Sequence, residues 1–229
     1  MFVELTRYKV ESIIIVKRLG VRKFMDKGSS RLFNMISPIY GLFFNSQRRN
    51  FKDVIKKVEE DLDIRKYESI IDVGCGTGAL CSVLYEEGLK VTGIDPAQLM
   101  LNTAIRKNKD KDIDFQTGNV LEGLDFNENH FDIAIASYVA HGLQPEERKK
   151  MYKEMGRIAQ EWVVIHDYNK KRNLLTSIVE WLERGDYFRF IKNAEKEMKD
   201  CSQEMEECFS EVKVVNVGER AAWYICKPK

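Results

Sequence analysis

Residues 70–78 read Ile70-Ile71-Asp72-Val73-Gly74-Cys75-Gly76-Thr77-Gly78, IIDVGCGTG, an apolar run that ends in glycines at alternate positions. Glycines spaced this closely let the backbone turn without a Cβ clash and approach a ligand. The usual ligand of such a loop is a phosphate, held by backbone N–H groups at the start of a helix. A phosphate-binding G-x-x-x-x-G-K-[ST] loop is excluded, because no Lys-Ser/Thr pair follows Gly78. The dinucleotide spacing G-x-G-x-x-G/A is met by Gly74, Gly76 and Ala79, and Asp95 follows at a distance suited to a ribose. Charge argues against that ligand. A pyrophosphate here lies close to the Asp72 carboxylate, and two like charges a few ångströms apart cost on the order of a few kcal/mol.

A ligand with a cationic head reverses the sign. S-adenosylmethionine carries an ammonium and a sulfonium at one end and free ribose hydroxyls at the other. Asp72 is placed to hold the ammonium side, directly or through water. Asp95, closing the next strand, is placed to accept both ribose hydroxyls as a bidentate anion. The ligand carboxylate then finds backbone N–H groups in or near the loop.

Outward from the loop, short β-branched runs alternate with amphipathic stretches. Strands are expected at Ser69–Val73, Lys90–Ile94, Ile113–Gln116, Phe131–Ala136 and Trp162–His166, and helices at Ala79–Glu87, Ala97–Lys107 and Glu146–Ala159. That alternation predicts an α/β fold with a mostly parallel sheet and helices on both faces. Val212–Val217 and Ala221–Cys226, separated by Gly218-Glu219-Arg220, predict a closing antiparallel hairpin. Residues 1–67 are helix-prone and carry Phe33, Tyr40, Phe43, Phe44 and Phe51. Residues 170–208 form an overlong crossover with an apolar face at Leu174, Leu175, Ile178, Val179 and Leu182. Both segments are expected to cover the ligand edge of a core that spans residues 68–229.

At 229 residues, 44% hydrophobic and 32% charged, the chain is an ordinary globular sequence. A net charge of +1 gives no broad attraction to nucleic acid, and no DNA partner is expected. The five cysteines contain no C-x-x-C pair and no metal-type spacing. Their odd number, with no signal-like N-terminal run, reads as reduced thiols in a cytoplasm, with no bound metal. The run Ile13-Ile14-Ile15-Val16 is too short to span a bilayer, so no integral membrane association is expected.

IIDVGCGTG with Val91-Thr92-Gly93-Ile94-Asp95-Pro96-Ala97 resembles the first two motifs of class I S-adenosylmethionine-dependent methyltransferases. The resemblance covers residues 68–168 well and the terminal hairpin loosely. It implies a Rossmann-like, seven-stranded sheet and S-adenosylmethionine as cofactor. It also implies cofactor contacts at Asp72, Gly74, Cys75, Gly76, Gly78, Asp95, Pro96, Asn119, Val120 and Ser137. Asn119 stands where the family usually has an aspartate after Gly118, and is left to meet the adenine amino group through its side-chain carbonyl. Upstream, LFNMISPIYGLFF (residues 32–44) is similar to the N-terminal signature of the ubiquinone/menaquinone-biosynthesis C-methyltransferases, with Phe33, Ser37 and Tyr40 matching and Gly41 replacing an aspartate. That similarity implies that Tyr40 covers the methionine end of the cofactor.

Methyl transfer is an in-line displacement, so the protein must mainly position the nucleophile and exclude water. A base is needed only where the nucleophile arrives protonated. His141 and His166 fall after the fourth and within the end of the fifth strand, at the expected active edge, and are the candidate catalytic bases. His130 precedes the fourth strand and is expected to be solvated. No [DN]-P-P-[YFW] motif and no Pro-Cys follows the fourth strand, which argues against DNA-base amino or cytosine C5 chemistry. The aromatic residues Trp181, Tyr187, Phe188 and Phe190, with Phe43 and Phe44 of the N-terminal cover, suggest an apolar acceptor pocket, and Gln47-Arg48-Arg49 and Lys170-Lys171-Arg172 are candidate anion contacts. The expected activity is methyl transfer to a small molecule. RNA or protein methylation, a non-catalytic cofactor-binding protein and a nicotinamide-dependent oxidoreductase are the alternatives.

Overall fold

The computed structural model describes residues 41–169, 203–218 and 221–229. Phe33, Ser37, Tyr40, the basic run at 170–172, the aromatic residues of the crossover at 181–190 and the hairpin residues 219–220 lie outside the described residues.

Seven strands form one sheet. They are β1 (Ser69–Val73), β2 (Lys90–Asp95), β3 (Ile113–Thr117), β4 (Phe131–Ser137), β5 (Ala159–Tyr168), β6 (Glu211–Asn216) and β7 (Ala221–Lys227). Their order is β3-β2-β1-β4-β5-β7-β6. The first five run parallel, β7 pairs antiparallel with β5, and β6 antiparallel with β7. The chain leaves β1 toward one side of the sheet and β4 toward the other, so the strand order reverses between them. A crevice for ligands opens at the carboxyl ends of strands at such a reversal.

The central strands bury both faces and therefore read as apolar runs, broken in β1 only by Asp72: Ile70 to Val73 and Ile133 to Ala136 are all buried. The edge strands β3 and β6 alternate and are mostly open to solvent. On one face α4 (Pro145–Ile158) packs Met151, Tyr152, Met155 and Ile158 against Ala134, Ala136, Val163 and Ile165. Its start is set locally by Pro145 in the first turn and by Glu147, which accepts the Gln144 N–H at 2.9 Å. On the other face lie α1 (Phe44–Val58) and α2 (Ala79–Glu86), with α3 (Gln98–Lys107) beyond them against β2 and β3.

Of the N-terminal cover, α1 is the described part. Val54, Ile55 and Val58 form its buried stripe, and Phe44 is buried at its first turn. Arg48 and Lys52 pair with Glu86 at the end of α2, which seats α1 across that helix. Arg48 is thereby occupied within the fold, so the anion-binding reading of Gln47-Arg48-Arg49 loses its central cation. Most expected element boundaries lie within two residues of those observed. β5 is the exception, starting three residues earlier than expected, at Ala159, and ending two later, at Tyr168.

One buried ion pair anchors the described end of the crossover. Arg148 on α4 donates to both Glu204 oxygens, at 2.7 and 2.9 Å, and a further guanidinium N–H donates to the Leu143 carbonyl at 2.8 Å. Residues 203–208, which are helical, are thus tied to the turn that follows β4. Removing the carboxylate leaves a buried cation without its partner, a change that typically costs about 3–5 kcal/mol. Glu204→Ala is therefore expected to lower stability by about that amount in urea unfolding; a loss below about 1 kcal/mol contradicts the anchor.

Candidate functional site

The glycine loop lies between the tips of β1, β2 and β4, and its backbone is committed to the protein. Gly74 and Cys75 N–H groups both donate to the Ile94 carbonyl, at 2.8 and 2.9 Å, and Gly78 N–H donates to the Cys75 carbonyl at 2.9 Å. Gly76 N–H donates to Asp95 Oδ2 at 2.9 Å, while Ala97 N–H donates to Asp95 Oδ1 at 2.7 Å. A diphosphate needs those donors turned outward. Here they are spent, and one is spent on a carboxylate.

Two glycines have definite reasons to be glycine. Gly74 has φ +76°, and a Cβ there falls 2.7 Å from Val139 Cγ2, so the loop touches the turn after β4. Gly76 has φ +55° and nothing within 4 Å of where a Cβ would stand. Its missing side chain leaves open space at the centre of the cradle.

Asp72 lies beneath the loop and is 1% exposed. Its Oδ2 accepts from Cys81 Sγ at 3.2 Å; Oδ1 is buried with no hydrogen-bond partner. Burial raises its carboxyl to about 7, against which the Cys81 hydrogen bond acts, with Asp95 adding repulsion. Burial likewise pushes the Cys81 thiol well above its ordinary range, so it remains an S–H donor. Asp95 is also raised by burial, partly offset by its two backbone N–H bonds. An additional anion worsens both carboxylates; a cation relieves both. The residues present thus fit a ligand that is positive near β1. Asp72 acts on it from below, through the field, since its carboxylate is sealed from direct contact.

The other expected cofactor contacts are placed unequally. Cys75 is buried against Leu80 and Cys81 as a small loop residue, Gly78 caps α2 at φ +73°, and Pro96 is exposed beside Asp95. Asn119 is engaged in its own turn: Oδ1 accepts the Leu121 N–H at 3.1 Å, and Nδ2 donates to Glu122 at 2.7 Å. Val120 packs into the core with Ile94 and Leu124. Ser137 Oγ lies 3.0 Å from His166 Nδ1.

The two histidines have different surroundings, His166 within β5 and His141 in the turn after β4. His166 faces α1, is 1% exposed, and meets Phe51 edge-on at 5.9 Å and Trp223 at 6.3 Å. Burial lowers its imidazolium to about 4, so the ring is neutral near pH 7. This corrects the expectation of an accessible base: a sealed ring that gives up its proton so readily is a weak proton acceptor. His141 sits in a 3-10 turn (Ala140–Gly142) and is partly open, its side chain 23% exposed. Its Nδ1 lies 3.0 Å from Asp167 Oδ1. Asp167 was not singled out from sequence. The signal was present in its position next to His166 on a strand, which turns it to the opposite face. His130 is exposed at the other edge, as expected.

Tyr138, between β4 and His141, holds φ +58°, an uncommon conformation for a bulky residue that is found often at functional sites. Its ring lies 4.8 Å from His166 and 5.5 Å from Tyr168, and Tyr168 lies 5.0 Å from His141. An aromatic wall therefore flanks the His141–Asp167 pair.

A cavity of about 310 Å³ opens at the opposite edge, lined by Lys52, Ile55, Leu62, Ile64 and Arg65. Arg65 there pairs with Glu59 and Asp63, so its charge is spent locally. Among the described residues no group of three His, Cys, Asp or Glu side chains is arranged to hold a metal ion. No helix among them is long and apolar enough to cross a membrane.

Residues 70–161 match the family model described as "Methyltransferase domain". An uncharacterized methyltransferase of Staphylococcus carnosus is 28% identical over 127 residues, covering 54% of this chain and 59% of the relative. The ubiquinone/menaquinone biosynthesis C-methyltransferase UbiE of Campylobacter jejuni is 29% identical over 154 residues, covering 61% and 63%. The chain thus spans less than two thirds of the length of either relative. Among solved structures, magnesium protoporphyrin IX methyltransferase (ChlM) of Synechocystis with bound S-adenosylhomocysteine superposes with a TM-score of 0.59 at 16% identity, over 80% of this chain and 83% of that one. At that identity the likeness is one of fold.

The raised Asp72 carboxyl makes a stability prediction with a definite sign. Between the ordinary value of 3.8 and about 7 the folded chain holds a proton that the unfolded chain has lost, so this group's stabilising contribution falls as pH rises through that window. Asp72→Asn is expected to stabilise the ligand-free protein by about 2–4 kcal/mol at pH 8 and by little at pH 4. Equal effects at both pH values in urea unfolding contradict the buried acid.

Proposed function

We propose that this chain, which carries a class I S-adenosylmethionine-dependent methyltransferase domain, moves a methyl group to a small-molecule acceptor. The single observation that carries the choice of ligand is the pair of buried carboxylates, Asp72 and Asp95, under a loop in which the N–H groups of Gly74, Cys75, Gly76 and Gly78 are already used. S-adenosylmethionine supplies a methyl carbon bonded to a positively charged sulfur. Its amino-acid end belongs beside β1, over the open face of Gly76, where Asp72 stabilises the positive charge from beneath. Its ribose belongs at Asp95, whose oxygens each keep acceptor capacity beyond the backbone N–H already bound. Asn119 and Val120 form the turn proposed to border the adenine, with Asn119, whose side chain is engaged by Leu121 and Glu122, contributing through its backbone.

The acceptor belongs at the tips of β4 and β5, where Tyr138, His141 and Tyr168 gather. His141 is the residue proposed to meet it; His166, with Ser137, is proposed to support that edge from below. Support for a small acceptor comes from this narrow aromatic wall, from the near-zero net charge, and from the likeness to a quinone-biosynthesis methyltransferase.

Calorimetric titration with S-adenosylhomocysteine tests the cofactor half. Wild type is expected to bind, and Asp95→Ala to weaken binding at least about tenfold by removing two charge-assisted contacts. No binding by the wild type removes the proposal. For the acceptor half, a metabolite extract incubated with methyl-labelled S-adenosylmethionine is expected to yield a labelled product of low molecular mass; label found only in protein or RNA fractions contradicts it.

A further inference from the structure

The Asp167 carboxylate is 2% exposed, and a buried anion is costly unless hydrogen bonds surround it. Here two backbone N–H groups and one ring nitrogen do so. Oδ2 accepts the His141 backbone N–H at 3.1 Å, Oδ1 accepts the Tyr168 backbone N–H at 2.8 Å, and His141 Nδ1 stands 3.0 Å from Oδ1 and 3.3 Å from Oδ2. Each oxygen already accepts from the backbone, so toward the imidazole the carboxylate accepts as well. Nδ1 is thereby assigned the hydrogen, and in the neutral ring Nε2 carries the lone pair. The backbone bonds matter as much as the ring contact, because they keep the carboxylate from turning to follow a different tautomer.

We infer that Asp167 is a positioning residue that locks His141 in the Nδ1–H form, making Nε2 a base for an acceptor that arrives with a weakly acidic hydroxyl. This rests on the methyl-transfer reading above and extends it to the chemistry of the acceptor. A thioether or an unprotonated aromatic amine brings its own lone pair and needs no base; a hydroxyl does. The acceptor's O–H proton passes to Nε2, and the freed oxygen pair forms the bond to the methyl carbon. The carbon–sulfur bond breaks with its electrons kept by sulfur, leaving a neutral thioether. The imidazolium, stabilised beside Asp167, then returns its proton to solvent. An aspartate that orients a histidine in this way acts through tautomer and orientation without itself taking the proton. The flanking Tyr138 and Tyr168 rings favour a flat acceptor.

The test is nitrogen-15 NMR of the whole chain labelled at histidine. There are three histidines, and His141→Gln assigns the relevant signals. In wild type at neutral pH, His141 is expected to show a protonated Nδ1 and an unprotonated Nε2. In Asp167→Asn the amide must turn an NH2 toward a backbone N–H or toward Nδ1, and the ratio of Nδ1–H to Nε2–H forms is expected to fall about tenfold or more. A wild-type His141 that is mainly Nε2–H, or an unchanged ratio in the variant, overturns the inference, and the wild-type spectrum alone decides it should the variant not fold. S-adenosylhomocysteine titration runs in parallel: failure of wild type to bind removes the cofactor reading, whereas binding with the wrong tautomer removes only the role of Asp167. In the labelled-extract assay Asp167→Asn is expected to lose transfer about a hundredfold or more with unchanged S-adenosylhomocysteine affinity. Wild-type transfer rates in the variant, or a new methyl on a thioether sulfur or an aromatic amine nitrogen, overturn the proposal.

Discussion

The site depends on two carboxyl groups held where water scarcely solvates them. Asp72, one residue before the end of β1, and Asp95, the last residue of β2, lie on adjacent parallel strands, and the glycine loop closes over them. Two carboxylates in that setting repel each other and are short of solvation, which is why both are harder to ionise than usual. The loop conformation follows from the same fact. Asp95 takes the Gly76 N–H, Ile94 takes two more, and a loop that otherwise resembles an anion cradle has its donors turned inward. The molecule holds a charge imbalance that a cation corrects.

Beyond the loop, strand alternation sends two neighbouring side chains of β5 to opposite faces of the sheet. His166 and Asp167 are neighbours in sequence and opposites in space. One enters the apolar face under α1, bonded to Ser137; the other enters the face under α4 and grips the turn that carries His141. The strained Tyr138 backbone joins the two, since its N–H donates to the His166 carbonyl while its ring reaches toward His141. Arg148, fixed by Glu204 and bonded to Leu143, holds the far side of the same turn. The turn that carries His141 is therefore braced from both sides of the sheet.

The strands and the glycine loop were legible because their determinants are local: β-branched runs, glycines at tight turns and an acid at each strand tip. The hairpin was legible because no helical stretch separates its two runs. What sequence did not reveal depends on contacts distant in the chain. Burial of His166 requires Phe51 and Trp223, which are 115 and 57 positions away in number, and no periodicity near residue 166 announces them. Asp167 becomes meaningful only once the turn at His141 folds back onto β5. Arg48 looked like an anion contact until Glu86 was placed beside it. Side chains with one strong local role were readable, whereas those whose role is decided by a partner across the sheet were not.

The central claim is that the buried acids select a positively charged nucleoside over a diphosphate. Calorimetric titration of S-adenosylmethionine and of NAD near pH 7, each in two buffers of different ionisation enthalpy, measures it most directly, because it reports both affinity and protons exchanged. The account predicts that S-adenosylmethionine binds with net release of protons as Asp72 ionises beside the incoming cation, and that NAD does not bind measurably. Binding of NAD with proton uptake, or binding of S-adenosylmethionine with no proton exchanged, contradicts it.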